Sequence, residues 1–345
     1  MKGEINEKLL TKEVDVNAKG EKLKDRLWIE NKKMWVVAGP AIFTRFSTFG
    51  IHIIGQAFVG HIGSTELAAY ALVVTVFLRF TSGILHNEDN LFVSVAYEKK
   101  SNNSTTYHFF ILFRWFHLLK KTVPLELWYN TVLILLTGNM GNAEVAIDAL
   151  SICLNINGWE MMISLGFLAA ASVRVANELG RGSSKAAKFS IVNIVLTSFS
   201  IGFVLFVFFL LFRGRLAYIF TENSDIAAAV GDLSNLLAWS ILLNSVQPVL
   251  SGVAVGAGWQ SIVTYVNIAC YYLVGVPVGV VLGYVLDFQV KGVWIGMLFG
   301  TFVQTVVLVI ITCKTDWDKQ VSIAHKRVNK WYVEPEPPIV NQENA

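Results

Sequence analysis

Apolar residues in this chain come in long uninterrupted runs. Phe189 to Leu211 carries no charged residue, and neither does Leu233 to Gly258, Ile262 to Leu286 or Gly292 to Cys313. Each exceeds the run of about 18 apolar residues that marks a membrane-crossing helix. Four further segments fit the same pattern: Met34 to Val59, Glu66 to Leu85, Val123 to Gly138 and Val145 to Val173. The pattern therefore predicts an all-α polytopic membrane protein with eight spans. His86 to His108 is polar and without period, and the apolar stretch Phe109 to Leu119 is too short to cross alone.

A repeat organises the spans. Gly60 to Leu72 reads GHIGSTELAAYAL and Gly138 to Leu150 reads GNMGNAEVAIDAL. Both fit G-x-x-G-x-x-E-[LV]-A-x-x-A-L, and each links one apolar span to the next. A repeated membrane hairpin is the mark of a transporter built from two related lobes. Five long spans follow the second copy. One span follows the first, and the pattern then stops near Leu85. The chain thus reads as a two-lobe transporter without most of its first lobe. The expected layout is a disordered cytosolic tail (1–33), a two-span remnant of the first lobe (34–85) and an irregular cytosolic connector (86–122). A six-span second lobe (123–313) and a cytosolic C-terminal tail (314–345) complete it.

Composition agrees with the runs: 54% of residues are hydrophobic, 15% are charged and the mean hydropathy is +0.53. The net charge of +3 says less than its placement. Lys and Arg crowd the first 33 residues, Lys99 to Lys121, Arg174 to Lys188 and Lys314 to Lys330, whereas the alternate loops carry Arg213, Arg215 and Lys291. The positive-inside rule then puts both termini in the cytosol. The first 27 residues mix acid with base and read neither as a signal nor as a transit peptide. The two overlapping sequons at Asn102 and Asn103 fall in a loop assigned to the cytosol and are read as chance matches. Cys153, Cys270 and Cys313 lie in or beside apolar runs, without disulfide or zinc spacing.

Polar groups at membrane depth are expensive and need a reason. Glu126 and Asn130 fall early in the third predicted span, and Asn157 and Glu160 in the fourth. A carboxyl group there can take up and release a proton as its surroundings alternate. Its structural alternative is interhelical hydrogen bonding. Function leads for Glu126; for Glu160 the two readings weigh equally. Ser240, Asn244, Gln247 and Ser251 share one helical face, as do Thr264, Asn267 and Tyr271. Together they suggest a polar cavity between helices, with Pro248 and Pro277 bending its walls. Arg45 and Arg79 also fall within spans. No phosphate loop, zinc-protease motif, nucleophile elbow or Cys/His cluster occurs. The expectation is a protein that is not an enzyme, needs no cofactor or metal and binds no nucleic acid.

The stretches WVVAGPAIFTRFSTFGIHIIGQAFVGHIGSTELAA, LELWYNTVLILLTGNMGNAEVAIDALSICLNINGWEMMISLGFLAAASVRVANELG, LNSVQPVLSGVAVGAGWQ and CYYLVGVPVG, with DWDK after the last span, resemble the plant branch of the multidrug and toxic compound extrusion (MATE) family. The resemblance covers about 28–85 and 123–332. It implies two six-helix lobes facing across a cleft. It also implies proton- or cation-coupled antiport that exports organic cations, xenobiotics or secondary metabolites, from the vacuolar or plasma membrane. By that resemblance Glu126 is the proton-coupling group. Asn155, Asn157, Glu160, Asn244, Gln247 and Tyr271 line the substrate cavity, and Pro40 kinks the first helix; Asn130, one turn from Glu126, is expected at the same cavity. The partners implied are a small organic substrate, protons and the lipid bilayer. His86 to Thr122 stands where the family's third to sixth helices belong. The alternative is a shortened, non-transporting member that is unstable or acts only through association with a full-length homologue.

Overall fold

The computed structural model describes residues 23–62, 136, 143–212, 215, 217–219 and 223–331. Among these no strand occurs. Helix α1 is Leu23–Ile62, α2 Ala143–Gly180, α3 Ser184–Phe212, α4 Ser224–Asn244 and α5 Gln247–Gly256. Then come α6 Gln260–Asn267, α7 Val276–Val280, α8 Gln289–Lys314 and α9 Trp317–Trp331. Six stretches of the described residues are long and apolar enough to cross a membrane: 23–55, 149–180, 184–212, 224–256, 260–285 and 289–314. The second predicted span, and the third apart from Leu136, lie outside the described residues.

Two boundaries differ from the sequence reading. Residues 23–33, assigned above to a disordered tail, are helical and open α1. Hydropathy missed them because they are charged; they are held by partners distant in sequence, described below. The tail after Lys314 likewise contains a helix, α9. Its Trp317 is buried, packs 5.6 Å from the Trp259 ring and donates from Nε1 to the Thr312 carbonyl at 3.2 Å.

The core is divided along the membrane normal. One apolar block joins Met34 and Ala38 of α1 to Phe167, Ala171 and Val175 of α2, Ile191 and Ile194 of α3, Val249 and Val253 of α5, and Trp317. A second joins Leu150, Cys153 and Ile156 of α2 to Val230, Leu237 and Ile241 of α4 and to Val293 and Trp294 of α8. Helix α2 runs through both and touches α1, α3, α4, α5 and α9. Its contact with α5 is backbone to backbone. A Cβ on Gly252 would stand 3.0 Å from C and Cα of Leu168, and one on Gly256 would stand 3.0 Å from Cα of Ser172. Glycines four apart on one face are the small-residue device by which membrane helices approach closely. Large apolar side chains on the outer surfaces, such as Phe203, Val204, Leu211 and Leu273, are exposed. On a spanning helix such positions face lipid.

The prolines mark real departures from α-helix. The predicted sixth span breaks at Ser245–Val246, and Pro248 sits in the first turn of α5, where its missing N–H costs nothing. In the next span Pro277 opens the short α7, flanked by wide π-helical turns at Ile268–Gly275 and Val281–Val285. Pro40 lies inside α1, where the Val36 carbonyl loses its intrahelical donor.

Contacts fix which ends lie together. The start of α1 meets the 174–197 region, through Glu30 with Arg174 and Asn31 with Asn193. Helix α9 straps the same end. Ser184 bonds Asp318 at 2.5 Å, His325 Nε2 pairs with the Gly180 carbonyl at 3.1 Å, and Trp259 Nε1 donates to Gln320 at 3.2 Å. Among the described residues, the basic segments predicted to be cytosolic (23–33, 174–188 and the helix after Lys314) therefore share one end of the bundle; the basic segment 99–121 lies outside the described residues. The Asp232–Lys291 pair, 3.0 Å and exposed, sits at the other.

Candidate polar cavity

Between the two apolar blocks lies a polar belt. α2 contributes Leu154, Asn157 and Met161, which follow at helical spacing and share a face. α4 contributes Ser240 and Asn244, and the break after Asn244 turns Gln247 and Pro248 to the same space. Tyr271 enters from the π-helical turn, and Trp294 and Thr301 from α8. They enclose a cavity of about 50 Å³. That holds a few waters at roughly 10–15 Å³ each and falls far short of the 300–1,000 Å³ of a drug-sized pocket.

The belt is hydrogen-bonded. Asn244 Nδ2 donates to Asn157 Oδ1 at 3.2 Å, Trp294 Nε1 donates to Ser240 Oγ at 3.0 Å, and Gln247 Nε2 donates to Ser251 Oγ at 3.3 Å. The first bond crosses from α4 to α2 and the second from α8 to α4, while the third stays within α5, so the cavity walls are held by the same side chains that make it polar. Such groups are free to exchange partners with a cation or a water without orphaning a charge.

Of the residues expected to line a cavity, Asn157, Asn244, Gln247 and Tyr271 come together, with Ser240 of the first stripe. Asn155 is not among the lining residues; two positions along α2 from Asn157, it points to the opposite side. Glu160 is not among them either. Its side chain is buried, one carboxylate oxygen accepts from Ser164 at 2.7 Å, and the other has no partner among the described residues. The second stripe divides: Asn267 accepts from Gln304 at 2.5 Å in the interior and Thr264 bonds the Gln260 carbonyl, leaving Tyr271 at the cavity. Arg45 is exposed on α1. Glu126, Asn130 and Arg79 lie outside the described residues. Trp294 and Thr301 escaped the sequence reading because α8 carries them singly within an apolar run, with no stripe to betray a shared face.

A family model described as MatE matches residues 122–281. Protein DETOXIFICATION 21 of Arabidopsis thaliana is 43% identical over 489 aligned positions that cover 99% of both chains. The chain belongs to the MATE family. A second MATE relative, Protein DETOXIFICATION 39 of the same plant, is 50% identical over 215 residues, 62% of this chain and 42% of its own. The crystal structure of the eukaryotic MATE transporter AtDTX14 superposes with a TM-score of 0.60 at 23% identity, over 86% of this chain and 82% of that one, which shows the shared fold. The MATE family consists of efflux transporters embedded in membranes. The alignment to DETOXIFICATION 21 needs 489 positions against the 345 residues here. Well over a hundred of its positions therefore face no residue of this chain.

Proposed function

We propose that this MATE chain is a secondary antiporter. It exports organic cations, xenobiotics or secondary metabolites from the cytosol, across the vacuolar or plasma membrane, in exchange for protons or another cation. The observation that carries the reading is the polar belt of Asn157, Ser240, Asn244, Gln247 and Tyr271 set between two apolar blocks. Polar residues at that depth are costly unless they line a path. The belt is the second lobe's share of a larger cleft, since its own cavity is too small for a drug-sized molecule. Residues 123–313 form that lobe, 34–85 contribute the remnant of the first, and 86–122 connect them through the cytosol. Glu126 takes and releases the coupling proton, with Asn130 beside it; Asn155 and the buried Glu160, which do not line the described cavity, belong to the part of the larger cleft outside it. Pro40 is the point at which the first span bends.

Uptake of a fluorescent organic cation into proteoliposomes, driven by an imposed pH gradient, tests the reading. Glu126→Gln should abolish gradient-driven uptake and Asn157→Ala should weaken it, with both proteins still inserted. Unchanged uptake in Glu126→Gln removes Glu126 from the coupling. The alignment deficit favours a second reading, in which the shortened chain does not transport alone and acts by associating with a full-length homologue. That reading predicts no uptake by the chain alone and its co-purification with a tagged homologue from the same membrane.

A further inference from the structure

The first turns of α1 carry two different faces. One is turned inward. The Arg26 guanidinium stands 4.8 Å over the Phe189 ring of α3, and the buried Glu30 accepts from Arg174 Nε at 2.9 Å and from the Ser190 hydroxyl. Met34 and Ala38 continue this face, in steps of four residues, into the apolar block. The other face looks away from the bundle. Lys24, Trp28, Lys32 and Trp35 follow at spacings of four, four and three and share one side of the helix. All four are exposed. Trp28 is 73% exposed, and Trp35 keeps 44% exposed while its ring meets Phe167 at 5.5 Å. Among the described residues α1 packs chiefly on α2 and α3, which leaves Trp28 and the two lysines uncovered.

Depth decides what such a face meets. On α3 the last charge is Lys188, and Phe189 to Leu211 is uncharged, so the hydrocarbon begins near Phe189. Arg26 lies at that level through its contact with Phe189, and Glu30 lies level with Ser190. Trp28 falls between them, at the boundary of headgroups and hydrocarbon, where tryptophan is enriched. Lys32 stands about 6 Å further along α1, at 1.5 Å per residue. Side chains on a helix lean towards its N-terminus, which on α1 is the headgroup end, and the long lysine stem carries its ammonium back to that level. Lys24 approaches from the other side, about 6 Å before Trp28. Residues 23–33 hold four bases and two acids. One of those acids, Glu30, is paired inward with Arg174, so the outward charge is positive.

We propose that Lys24, Trp28 and Lys32, flanked by Trp35, form a docking site for an anionic phospholipid headgroup of the cytosolic leaflet. The two ammonium groups bracket the phosphate and the lipid's second acidic group. The indole packs on the glycerol region, with its N–H available to an ester or phosphate oxygen. A zwitterionic headgroup offers the same phosphate but brings its own cation beside the lysines, so it binds more weakly. The leaflet follows from the positive-inside orientation and owes nothing to the transport reading. The lipid holds the outer face of 23–35 at headgroup level while Arg26 and Glu30 hold the inner face to α2 and α3.

The test measures no transport, so its failure leaves the antiporter reading standing. The full chain, purified in a mild detergent, is titrated with phosphatidylserine or phosphatidylcholine while its melting temperature is followed. A ligand of the folded state raises that temperature with concentration. Phosphatidylserine should act at a concentration about tenfold or more below phosphatidylcholine. Lys24→Gln with Lys32→Gln should raise the phosphatidylserine concentration needed by about tenfold or more, the effect of two cations at headgroup level. Trp28→Ala, which keeps every charge, should also weaken the response. Lys319→Gln with Lys326→Gln, exposed on α9 at the same end of the bundle, should not. All five positions are exposed, so the substitutions leave the packing intact. Equal responses to the two lipids, an unchanged titration in the α1 lysine variant or in Trp28→Ala, or an equal loss in the α9 variant overturns the site. An equal response to inorganic phosphate alone overturns the lipid assignment. A dimer in gel filtration that persists in excess lipid shows that a second copy covers the face instead.

Discussion

Replacing Gly252 with alanine adds one methyl group where α5 and α2 touch through their backbones. A Cβ at that position stands 3.0 Å from C and Cα of Leu168, and neither atom belongs to a side chain that can rotate away. Carbon atoms rest about 3.5–4.0 Å apart, so the two helices must separate by roughly 0.5–1 Å or α5 must tilt. Overpacking of this kind costs about 1–3 kcal/mol. Alanine's better helix propensity, worth about 1 kcal/mol over glycine, returns part of it. Gly231→Ala separates the two effects, because it lies within α4 and no described atom comes within 4 Å of its added Cβ. Gly231→Ala should therefore be neutral or stabilising, and Gly252→Ala should fall below it by about 1–3 kcal/mol. For a unit of this size that is roughly 2–10 °C in melting temperature. Intrinsic tryptophan fluorescence during heating in a mild detergent reads it directly. If Gly252→Ala melts at or above Gly231→Ala, the helices are not in backbone contact and the packing account fails.

Trp317→Ala should undock α9 at a cost of about 3–5 kcal/mol for a buried aromatic; trypsin would then cut at Lys326 and Arg327 far faster than in the parent, and an unchanged cleavage rate would show that α9 does not depend on that ring. Under native conditions Cys313, exposed beside Lys314, should react with a maleimide added from the cytosolic side, whereas the buried Cys153 and Cys270 react only after denaturation. Early reaction at Cys153 would contradict the packing of α2 against α4. Gln304→Leu should lower the melting temperature by an amount near that expected for stranding one buried acceptor, about 1–3 kcal/mol, because Asn267 then loses its 2.5 Å donor; a mutant as stable as the parent would show that the interior amide pair contributes nothing.

The features legible in the sequence were those written as periodicity. Uncharged runs gave the spans, the stripe Ser240–Asn244–Gln247 gave one wall of the cavity, and Pro248 and Pro277 marked where helices break or widen. Hydropathy could not see α9 or the first turns of α1, because both are charged and are held by tertiary partners rather than by an apolar run. Residues 23–33 illustrate the cause: their helix is anchored by Arg174, Asn193 and Ser190, all more than a hundred residues away. Charges near a span end read equally well as topology signals, so Arg174 counted towards the positive-inside pattern while its role in packing stayed hidden. Asn155 illustrates a different limit. The family resemblance assigned it to a cavity with Asn157, but two steps along a helix turn a side chain through about 200°, so the two do not share the described one.

The wide turns around α7 have a consequence for how this chain tolerates change in length. A π-helical turn is an α-helix that has absorbed an extra residue, with each N–H reaching back five positions instead of four. Deleting one residue within Ile268–Gly275 would let the backbone relax into ordinary α-helix at little local cost. Everything downstream would then keep its face, because the wide turn already spends one residue more than an α-turn on the same rotation. Gly279, whose added Cβ would stand 3.1 Å from the Val293 carbonyl oxygen, would stay in the crossing with α8. A single-codon loss in this segment is therefore gentle on helix and bundle alike, whereas the same loss within the regular α8 would turn everything beyond it by about 100°.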